Sequence, residues 1–429
     1  MTRRAVLTLA AAVFLLHAPL RAQDKLTDQI ERLFTFGTCG DPLCLEGALG
    51  GHGGHFIPSA VNSTDRVISF VTSAIGGAVA DIPISAASGG TSYRFEGGVP
   101  VATTTSAGPI FAERAQTLGR GRFFFGLNVT GQSFSEMRGV RMDNLHFNFT
   151  HADTDPVDTL GSPVFENEVI AVQVAMDVNL LVTTAFASWG IVDGVDIGVA
   201  VPLVHTSLTG SSVAQVVPFG AGTPHRFATD PSGNPVLSAT SSADASASGI
   251  GDVAARLKIS IFQSMKVGVA VLGDARFPTG DEENLLGAGA FSGRGYGIVS
   301  MRFGDFSPHA NIGYVFRDDT LSNDGVLAVL GFDHLLGSWA TLAVDFLSEW
   351  QVGESKLQVP GPVTYQAPYV RTVQATDIPN QSDDYMAASM GFKFTTGRGM
   401  TLVANVLLPL LNSGVQAPAV WTGGLEYNF

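Results

Sequence analysis

Cysteine and histidine side chains cluster near the N-terminus, in the stretch FGTCGDPLCLEGALGGHGGHF of residues 36–56. Cys39 and Cys44 flank a Gly-Asp-Pro turn, and His52 and His55 follow within a dozen residues. Thiolates and imidazoles are zinc ligands, so one interpretation is a Cys-Cys-His-His metal set. The spacing matches no zinc-finger pattern, and a thiol pair in an oxidising compartment is usually oxidised. We favour a Cys39–Cys44 disulfide and predict no metal and no cofactor.

Charged residues recur at alternate positions of apolar stretches further along the chain. If those stretches are strands of a barrel, the alternation turns the charges toward its lumen. Such charges either form a polar track or gate, or they pair to fill a narrow interior, and we favour the structural role. The predicted lumen-facing residues are Asp177, Asp196, Asp252, Arg256, Lys258, Asp274, Arg276, Arg302, Asp345, Glu349, Lys393 and Glu426.

Enzymatic chemistry would need a nucleophile with an adjacent base and an orienting group. The chain contains neither a G-x-S-x-G nor an H-E-x-x-H motif. His309 shares a strand face with Asn311, but the sequence singles out no serine to join them. We predict no catalytic residues.

The composition indicates an exported, apolar chain. The 429 residues are 45% hydrophobic and only 14% charged, with 50 glycines, whereas soluble domains are about a quarter charged. The net charge of -14 argues against nucleic acid as a partner. Arg3 and Arg4 followed by the apolar run 5–16 and a cut after Ala22 predict a signal peptide over residues 1–22. No later stretch is long and apolar enough to span a bilayer as a helix.

From residue 120 onward, alternation of apolar and polar residues predicts β-strands. In GDVAARLKISIF, residues 253, 255, 257, 259 and 261 are apolar and share one face, while the opposite face carries Arg256 and Lys258. Aromatic residues near the strand ends are typical of membrane-interface girdles, and short and long connections alternate as in outer-membrane barrels. We predict twelve strands: 120–134, 166–190, 195–209, 249–262, 266–277, 293–304, 308–317, 325–335, 338–350, 385–396, 400–410 and 418–429.

The outer connections and the C-terminus suggest further contacts. Residues 140–153 could pair as a hairpin, and loop 210–248, rich in Ser, Ala and Gly, is predicted to be mobile. Acidic outer loops such as GDEEN (280–284) could bridge to lipopolysaccharide through a cation. The final stretch WTGGLEYNF places Trp421, Leu425, Tyr427 and Phe429 on one lipid-facing side. A terminal phenylalanine in this pattern is similar to the signal by which the barrel assembly machinery recognises its precursors.

Residues 23–119 do not follow the strand pattern. DKLTDQIERLF could form a short amphipathic helix, STDRVISFVTSAIGGAVADI a helix or a strand pair, and GGTSYRFEGGVPVATT extended chain. This region could be a plug, a periplasmic appendage or two more strands, which would give fourteen. We favour a plug or hatch, because a barrel of about twelve strands has a narrow lumen and the segment needs burial. The domains are therefore 1–22, 23–119 and 120–429.

Three stretches resemble the outer-membrane family named for the MetA pathway of phenol degradation. They are GIGDVAARLKISIF (249–262), LGDARFPTGDEENLLGAG (272–289) and WGIVDGVDIGVAVPLV (189–204). The chain is more distantly similar to the long-chain fatty acid transporter class, which has an N-terminal hatch. The resemblance implies a barrel in the outer membrane that admits small hydrophobic solutes, including aromatic ones, by passive uptake. It supplies no catalytic residues. An outer-membrane hydrolase and a structural or adhesive barrel remain as alternatives to this transport function.

Overall fold

A closed antiparallel barrel of twelve strands forms the centre of the molecule, as the alternation predicted. The computed structural model describes residues 25–36, 43, 45–47, 69–78, 93–96, 99–102, 106–151, 153, 159–161, 166–220, 225–318, 322–396 and 399–428. The barrel strands are β1 (Phe123–Phe134), β2 (Glu168–Val192), β3 (Val195–Pro218), β4 (Val253–Gln263), β5 (Val267–Phe277), β6 (Ser292–Met301), β7 (Phe306–Arg317), β8 (Gly325–Gly337), β9 (Ala340–Gln351), β10 (Tyr385–Thr395), β11 (Met400–Pro409) and β12 (Val420–Asn428).

Every barrel strand pairs with its neighbours in sequence, and β12 returns to β1. Trp421 lies opposite Gly131 and Tyr427 opposite Phe125, which closes the hydrogen-bonded ladder. Closure matters because lipid offers no partner for a backbone N–H or C=O, so an open sheet edge could not remain in the hydrocarbon. The alternative of fourteen strands is not what the structure shows, since among the described residues Tyr93–Glu96 and Val99–Ala102 pair with each other and not with a barrel strand.

The outward face of the barrel is a band of exposed apolar side chains. Leu257 on β4 and Val271 on β5 are 44% and 40% exposed, whereas the alternate residues Lys258 and Leu272 are buried inside. Aromatic residues at both ends of the strands are exposed as predicted, namely Phe123, Phe277, Phe303, Phe316, Trp350, Phe394 and Tyr427. An apolar band between two aromatic girdles is the surface that an outer-membrane barrel presents to lipid.

Short and long connections alternate around the barrel. Two-residue turns at 193–194 and 338–339 and slightly longer turns at 264–266, 302–305 and 396–399 lie at one end. The longer connections lie at the other end, which by this asymmetry is the extracellular side. The start of β1 and the end of β12 therefore both lie at the periplasmic side.

Strands β2 and β3 extend beyond the barrel and carry an outer dome. They contain 25 and 24 residues, more than a bilayer crossing needs. The strand Leu145–Thr150 pairs with β2, and Ser238–Ile250 pairs with the outer half of β3. Two predictions were therefore wrong. Residues 145–150 pair with β2 rather than folding back as a hairpin, and much of loop 210–248 is strand, because the long β3 edge supplies a ladder that composition alone does not reveal.

Two helices from the N-terminal region pack into this dome. Helix α1 (Leu26–Arg32) and helix α2 (69–78) place Leu26, Ile30, Phe70 and Ile75 in one apolar cluster with the dome strands. The carbonyl groups at the end of a helix have no hydrogen-bond partner within the helix. At the end of α1, hydroxyl groups of the dome donate to them: Ser241 Oγ donates to Arg32 O at 2.7 Å, and Ser212 Oγ donates to the adjacent Leu33 O at 2.6 Å.

The remaining elements are short. They are the strand pairs Glu46–Gly47 with His225–Arg226, Ala228–Thr229 with Pro235–Val236 and Val363–Tyr365 with Arg371–Val373, the three-stranded set Glu136–Met137, Val140–Arg141 and Val415–Gln416, and the 3-10 turns Met142–Asn144 and Glu282–Asn284. Across the ranges that the structure describes, no helix combines the length and apolar character needed to cross a membrane.

A charge placed on the lipid face should destabilise the barrel according to its depth. Leu257 lies midway along β4, and Met265, which is 74% exposed, lies in the periplasmic turn. We expect Leu257→Arg to lower the free energy of unfolding by about 2–4 kcal/mol and Met265→Arg by about 0–1 kcal/mol, because only the first puts a guanidinium in hydrocarbon. Urea unfolding in lipid vesicles measures both. Equal costs would contradict the assigned orientation.

Candidate functional site

Residues 106–119, which we call the lumen segment, run through the interior of the barrel without forming a ladder. Buried N–H groups need acceptors, and inward side chains of the wall supply them. Ala107 N donates to Thr341 Oγ1 at 3.0 Å, Glu113 N to Asn311 Oδ1 at 2.8 Å, Ala115 N to Ser300 Oγ at 2.9 Å and Leu118 N to Asp196 Oδ2 at 2.9 Å. Thr341, Ser300 and Asp196 lie near the short turns and Asn311 lies further in, so the segment runs through the periplasmic half of the lumen.

Two charged side chains of the same segment form ion pairs with the wall. The Arg114 guanidinium donates to the Asp333 carboxylate and to Ser106 Oγ, and all three side chains are buried. On the other side of the segment, Glu113 receives Lys258 Nζ at 2.6 Å and the Arg256 guanidinium at 3.3 Å. Glu113 and Arg114 are adjacent and carry opposite charges, and each pairs with wall residues of the opposite charge. The two sets of ion pairs fix the segment in one register.

His309 and Asn311 are parts of this anchorage. The Nε2 atom of His309 lies 2.8 Å from Asp345 Oδ1, and its Nδ1 atom lies 3.7 Å from Asp333 Oδ1. Asn311 Nδ2 donates to Glu113 O at 2.9 Å in addition to accepting from Glu113 N. Both ring nitrogens of His309 thus face carboxylates, and the Asn311 amide is occupied by the lumen segment, so the arrangement is that of a structural contact rather than a base beside a nucleophile.

A cavity of about 180 Å³ lies in the outer half of the lumen. We call it the outer cavity. Helix α2 contributes Ala74, Gly77 and Ala78 to its wall, and the outer ends of the strands and the loops beyond them contribute the rest. The wall is partly apolar and partly polar. The apolar lining includes Phe134, Leu407, Pro409, Val415 and Val420, and the polar lining includes Gln132, Arg317, Asn323, Glu349, Gln351 and Gln416.

A second cavity of about 100 Å³ lies deeper, against the lumen segment. We call it the inner cavity. Phe111 and Glu113 of the lumen segment form part of its wall, and Glu349 and Tyr385 line both cavities. The two spaces are therefore stacked along the barrel, with the lumen segment on the periplasmic side of the inner one.

Arg138 clamps the loops around the outer cavity. Its guanidinium donates to both oxygens of Asp383 at 2.7 Å and to Leu357 O at 2.9 Å. It also lies 4.9 Å above the Phe70 ring of helix α2, within cation–π range. Arg138 adopts a φ of 49°, a left-handed conformation that is uncommon outside glycine. One buried side chain thus connects the first outer loop, the loop before β10 and helix α2.

A second buried polar cluster lies in the dome, away from the lumen. Tyr365 accepts from His151 N–H at 3.0 Å and donates to Glu168 O at 2.9 Å. Burial raises the pKa of Tyr365 to about 12, so its hydroxyl keeps the proton that it donates. His225 Nδ1 lies 2.8 Å from Glu168 Oε2, and its ring lies 5.2 Å from that of His151. These contacts hold the outer loops against the outer end of β2, where Glu168 begins the strand.

The structure places most of the predicted lumen residues on the inner face. Arg256 and Asp274 form an ion pair at 2.5 Å, with Arg276 3.7 Å from Asp274. Lys393 and Glu426 pair at 3.0 Å and are both about 1% exposed. Lys258, Asp345 and Asp196 make the contacts already described, and Glu349 pairs with Arg317 at 2.7 Å. Arg302 is half-buried at the periplasmic rim beside the β6–β7 turn, where its N–H donates to Lys266 O.

Two of those residues lie elsewhere. Asp177 is exposed on the outer face of β2, because the polarity of the strand reverses above the membrane. There the inner face packs Val174, Met176 and Val178 into the dome, and the outer face meets water. Asp252 stands at the break before β4 and accepts the N–H groups of Gly280 and Ala288 at 3.0 and 2.8 Å, so it shapes an outer loop.

Several lumen residues were not predicted. Asp333, Arg294 and Arg317 lie on inward positions of strands whose alternation was readable, so extending the same count would have found them. Glu113 and Arg114 lie in a segment with no periodicity, and no local signal points to their partners. Cys39, Cys44, His52, His55 and Phe429 lie outside the described residues, and the disulfide and the terminal recognition signal therefore stay predictions.

The sequence matches a family profile over residues 164–409, under the description "Putative MetA-pathway of phenol degradation". The match spans more than half of the chain. The protein belongs to this family. The resemblance found in the sequence is thereby confirmed, and the closed barrel with its lipid-facing band places this member in the outer membrane. Among proteins with curated descriptions, none matches the sequence.

The chain is similar to solved structures of outer-membrane proteins at low identity. An outer membrane channel from Pseudomonas putida F1 is 10% identical, with a TM-score of 0.40, over 73% of this chain and 98% of that one. The CymD monoaromatic hydrocarbon channel is 9% identical, with a TM-score of 0.35, over 72% and 89%. The P. putida toluene transporter TodX is 8% identical, with a TM-score of 0.33, over 72% and 89%.

The Lys393–Glu426 pair should behave as a structural contact. We expect Lys393→Met alone to lower the free energy of unfolding by about 3–5 kcal/mol, because it leaves Glu426 buried without its cation. Adding Glu426→Leu should recover most of the loss, since an apolar pair of similar volume replaces the ions. Urea unfolding of both variants in vesicles measures this. A double variant no more stable than the single one would contradict it.

Proposed function

We propose that the protein is a passive channel for the uptake of small hydrophobic compounds, one-ring aromatics among them, across the outer membrane. The observation that carries the proposal is the pair of stacked cavities in the lumen. An apolar protein cavity of about 150 Å³ is large enough to bind benzene, and the outer cavity has about 180 Å³. The family description, which concerns the degradation of phenol, fits a solute of this size.

The partly apolar wall of the outer cavity suits such a solute. Phe134, Leu407 and Val420 offer a surface on which a ring can exchange water for apolar contact. Helix α2 and the Arg138 clamp form the side toward the outer loops, so capture begins among those loops. The solute's own gradient supplies the driving force, and lipid is the partner of the outer wall. Contacts with lipopolysaccharide and with the barrel assembly machinery remain part of the proposal.

We assign to the N-terminal region the role of an internal plug. Helices α1 and α2 of this region pack into the dome, and the lumen segment lies on the periplasmic side of the inner cavity. Passage then requires this segment to shift. Its anchors are side-chain contacts and ion pairs rather than a continuous ladder, so it can detach without breaking the barrel. A hydrolase is less well supported, because His309 and Asn311 serve the anchorage.

Filling the outer cavity should reduce uptake. A side chain built at Gly77 of helix α2 would meet no atom within 4 Å, whereas one at Gly76 would approach Leu285. We expect Gly77→Leu to lower the rate of toluene accumulation by cells of a Gram-negative host, because the leucine occupies the space of the ring. Gly76→Leu, a neighbouring change outside the cavity, is the matched control. Wild-type cells that accumulate toluene no faster than cells lacking the protein would contradict the function itself.

A reversible tether tests the plug. A Cβ added at Gly268 would lie 3.1 Å from Ala115 Cβ, close to the separation of about 3.5–4.5 Å in a disulfide. We expect the pair Ala115→Cys and Gly268→Cys to block toluene uptake when oxidised and to restore it on reduction, because the lumen segment can then shift again. Each single variant under the same treatment is the control. Unchanged uptake with the tether closed would show that the solute takes another route.

A further inference from the structure

One wall of the inner cavity carries a row of arginines. Arg256 on β4, Asp274 on β5 and Arg294 on β6 lie directly opposite one another in register, and Arg276 follows Asp274 on the same face. All four side chains line the inner cavity. Lys258, next on the inner face of β4, is buried beside them. Among the described residues this wall thus combines four cations with the carboxylate of Asp274, and Glu113 of the lumen segment faces them.

Guanidinium groups are suited to carboxylate ligands. Each carries several N–H donors in a planar fork that matches two carboxylate oxygens. An arginine can therefore keep its present partner and still donate to a ligand in the cavity. Charge-assisted contacts of this kind are roughly twice as strong as neutral hydrogen bonds. The arginine row is consequently a surface for an anionic group.

The wall of the inner cavity formed by β8 and β9 is largely apolar. Leu327 and Val329 on β8 and Leu347 on β9 face the space, and Glu349, which also lines it, is paired with Arg317 at 2.7 Å. A solute with an apolar body and one anionic group would satisfy both walls at once. A hydrocarbon would leave the charged wall without a ligand, and a small inorganic anion would leave the apolar wall facing water. The ring of a bound solute would extend past Glu349 and Tyr385 toward the outer cavity.

The arginine row also holds the lumen segment. Glu113, which lines the cavity, lies 3.3 Å from Arg256 and 2.6 Å from Lys258. A carboxylate arriving in the cavity carries the same chemical group as Glu113 and competes for the same donors. Loss of this contact removes one of the two ionic anchors of the segment, while Arg114 retains Asp333.

We propose that the inner cavity binds the carboxylate of small aromatic acids, and that this carboxylate displaces Glu113 and loosens the lumen segment. The inference rests on the proposed uptake function and singles out, among its small aromatic solutes, those with a carboxylate as the ones that loosen the segment themselves. The solute itself then opens the path, and no other energy source is needed.

Binding to the purified full-length protein in detergent tests the first half, with benzoate and its neutral analogue benzyl alcohol as probes. We expect benzoate to bind more tightly than benzyl alcohol. Arg294→Gln should weaken benzoate binding about tenfold or more, as the loss of a charged hydrogen bond does, and leave benzyl alcohol within about twofold. Arg141→Gln, an exposed dome residue paired with Asp143, is the matched control and should change neither.

Ionic conductance in planar bilayers tests the second half. We expect benzoate to raise the frequency of channel openings and benzyl alcohol to have no such effect. Glu113→Gln should open more often without any solute and should lose the response to benzoate. Openings that respond equally to both probes would contradict the displacement of Glu113 by the carboxylate. A Glu113→Gln channel that still responds to benzoate would contradict it as well.

The outcomes also separate this inference from the function on which it rests. If benzyl alcohol and toluene enter cells through the protein but benzoate binds no better than benzyl alcohol, the carboxylate site is wrong and the hydrophobic channel stands. If neither benzoate nor the neutral aromatics bind or enter, the uptake function itself fails.

Discussion

A peptide segment that crosses a narrow barrel without joining its sheet must have its backbone satisfied by the wall. The lumen segment meets this requirement through Thr341, Asn311, Ser300 and Asp196, each on a different strand. Inward polar residues are costly in a buried space unless they are hydrogen-bonded. The segment and the wall therefore depend on each other, and much of the polarity inside the periplasmic half is explained by this one contact.

The charged residues of the lumen fall into two groups, those away from the cavities and those that line the inner cavity. Lys393 and Glu426 pair with each other away from both cavities, as space-filling ions in a closed wall would. Arg256 and Glu113 connect a cavity wall to the lumen segment, so the same electrostatic attraction that stabilises the closed state is exposed to a competing ligand. The buried ion pairs are weak evidence for stability on their own. The ion pairs between the cavity wall and the lumen segment can respond to a ligand because they lie at the boundary between the two.

The outer dome shows how one strand can serve two environments. Along β2, even-numbered residues face inward over the whole length. In the membrane this face contains polar residues such as Ser188 and the outer face is apolar, while above the membrane Val174 and Val178 face the dome core and Asp177 faces water. The geometry of the strand is constant, and the medium on each side changes. Helix α1 and helix α2 supply the apolar surface that the dome strands bury.

The sequence by itself determined the barrel. Alternation over ten or so residues fixes which face is apolar, and the lengths of the connections fix the two ends, because both are local properties of the chain. The strand number, the aromatic girdles and the membrane were therefore predictable, and so were most inward charges, including Arg256, Asp274 and Lys393.

Only the tertiary structure decided what fills and closes the barrel. Glu113 and Arg114 contact residues more than 140 positions away in the chain, and no periodicity in residues 106–119 marks those partners. The two cavities arise where helix α2 and the lumen segment fail to fill the lumen, which depends on the packing of distant elements. Asp177 was misplaced for a related reason, since the level at which a strand leaves the lipid is set by its neighbours and not by its own alternation.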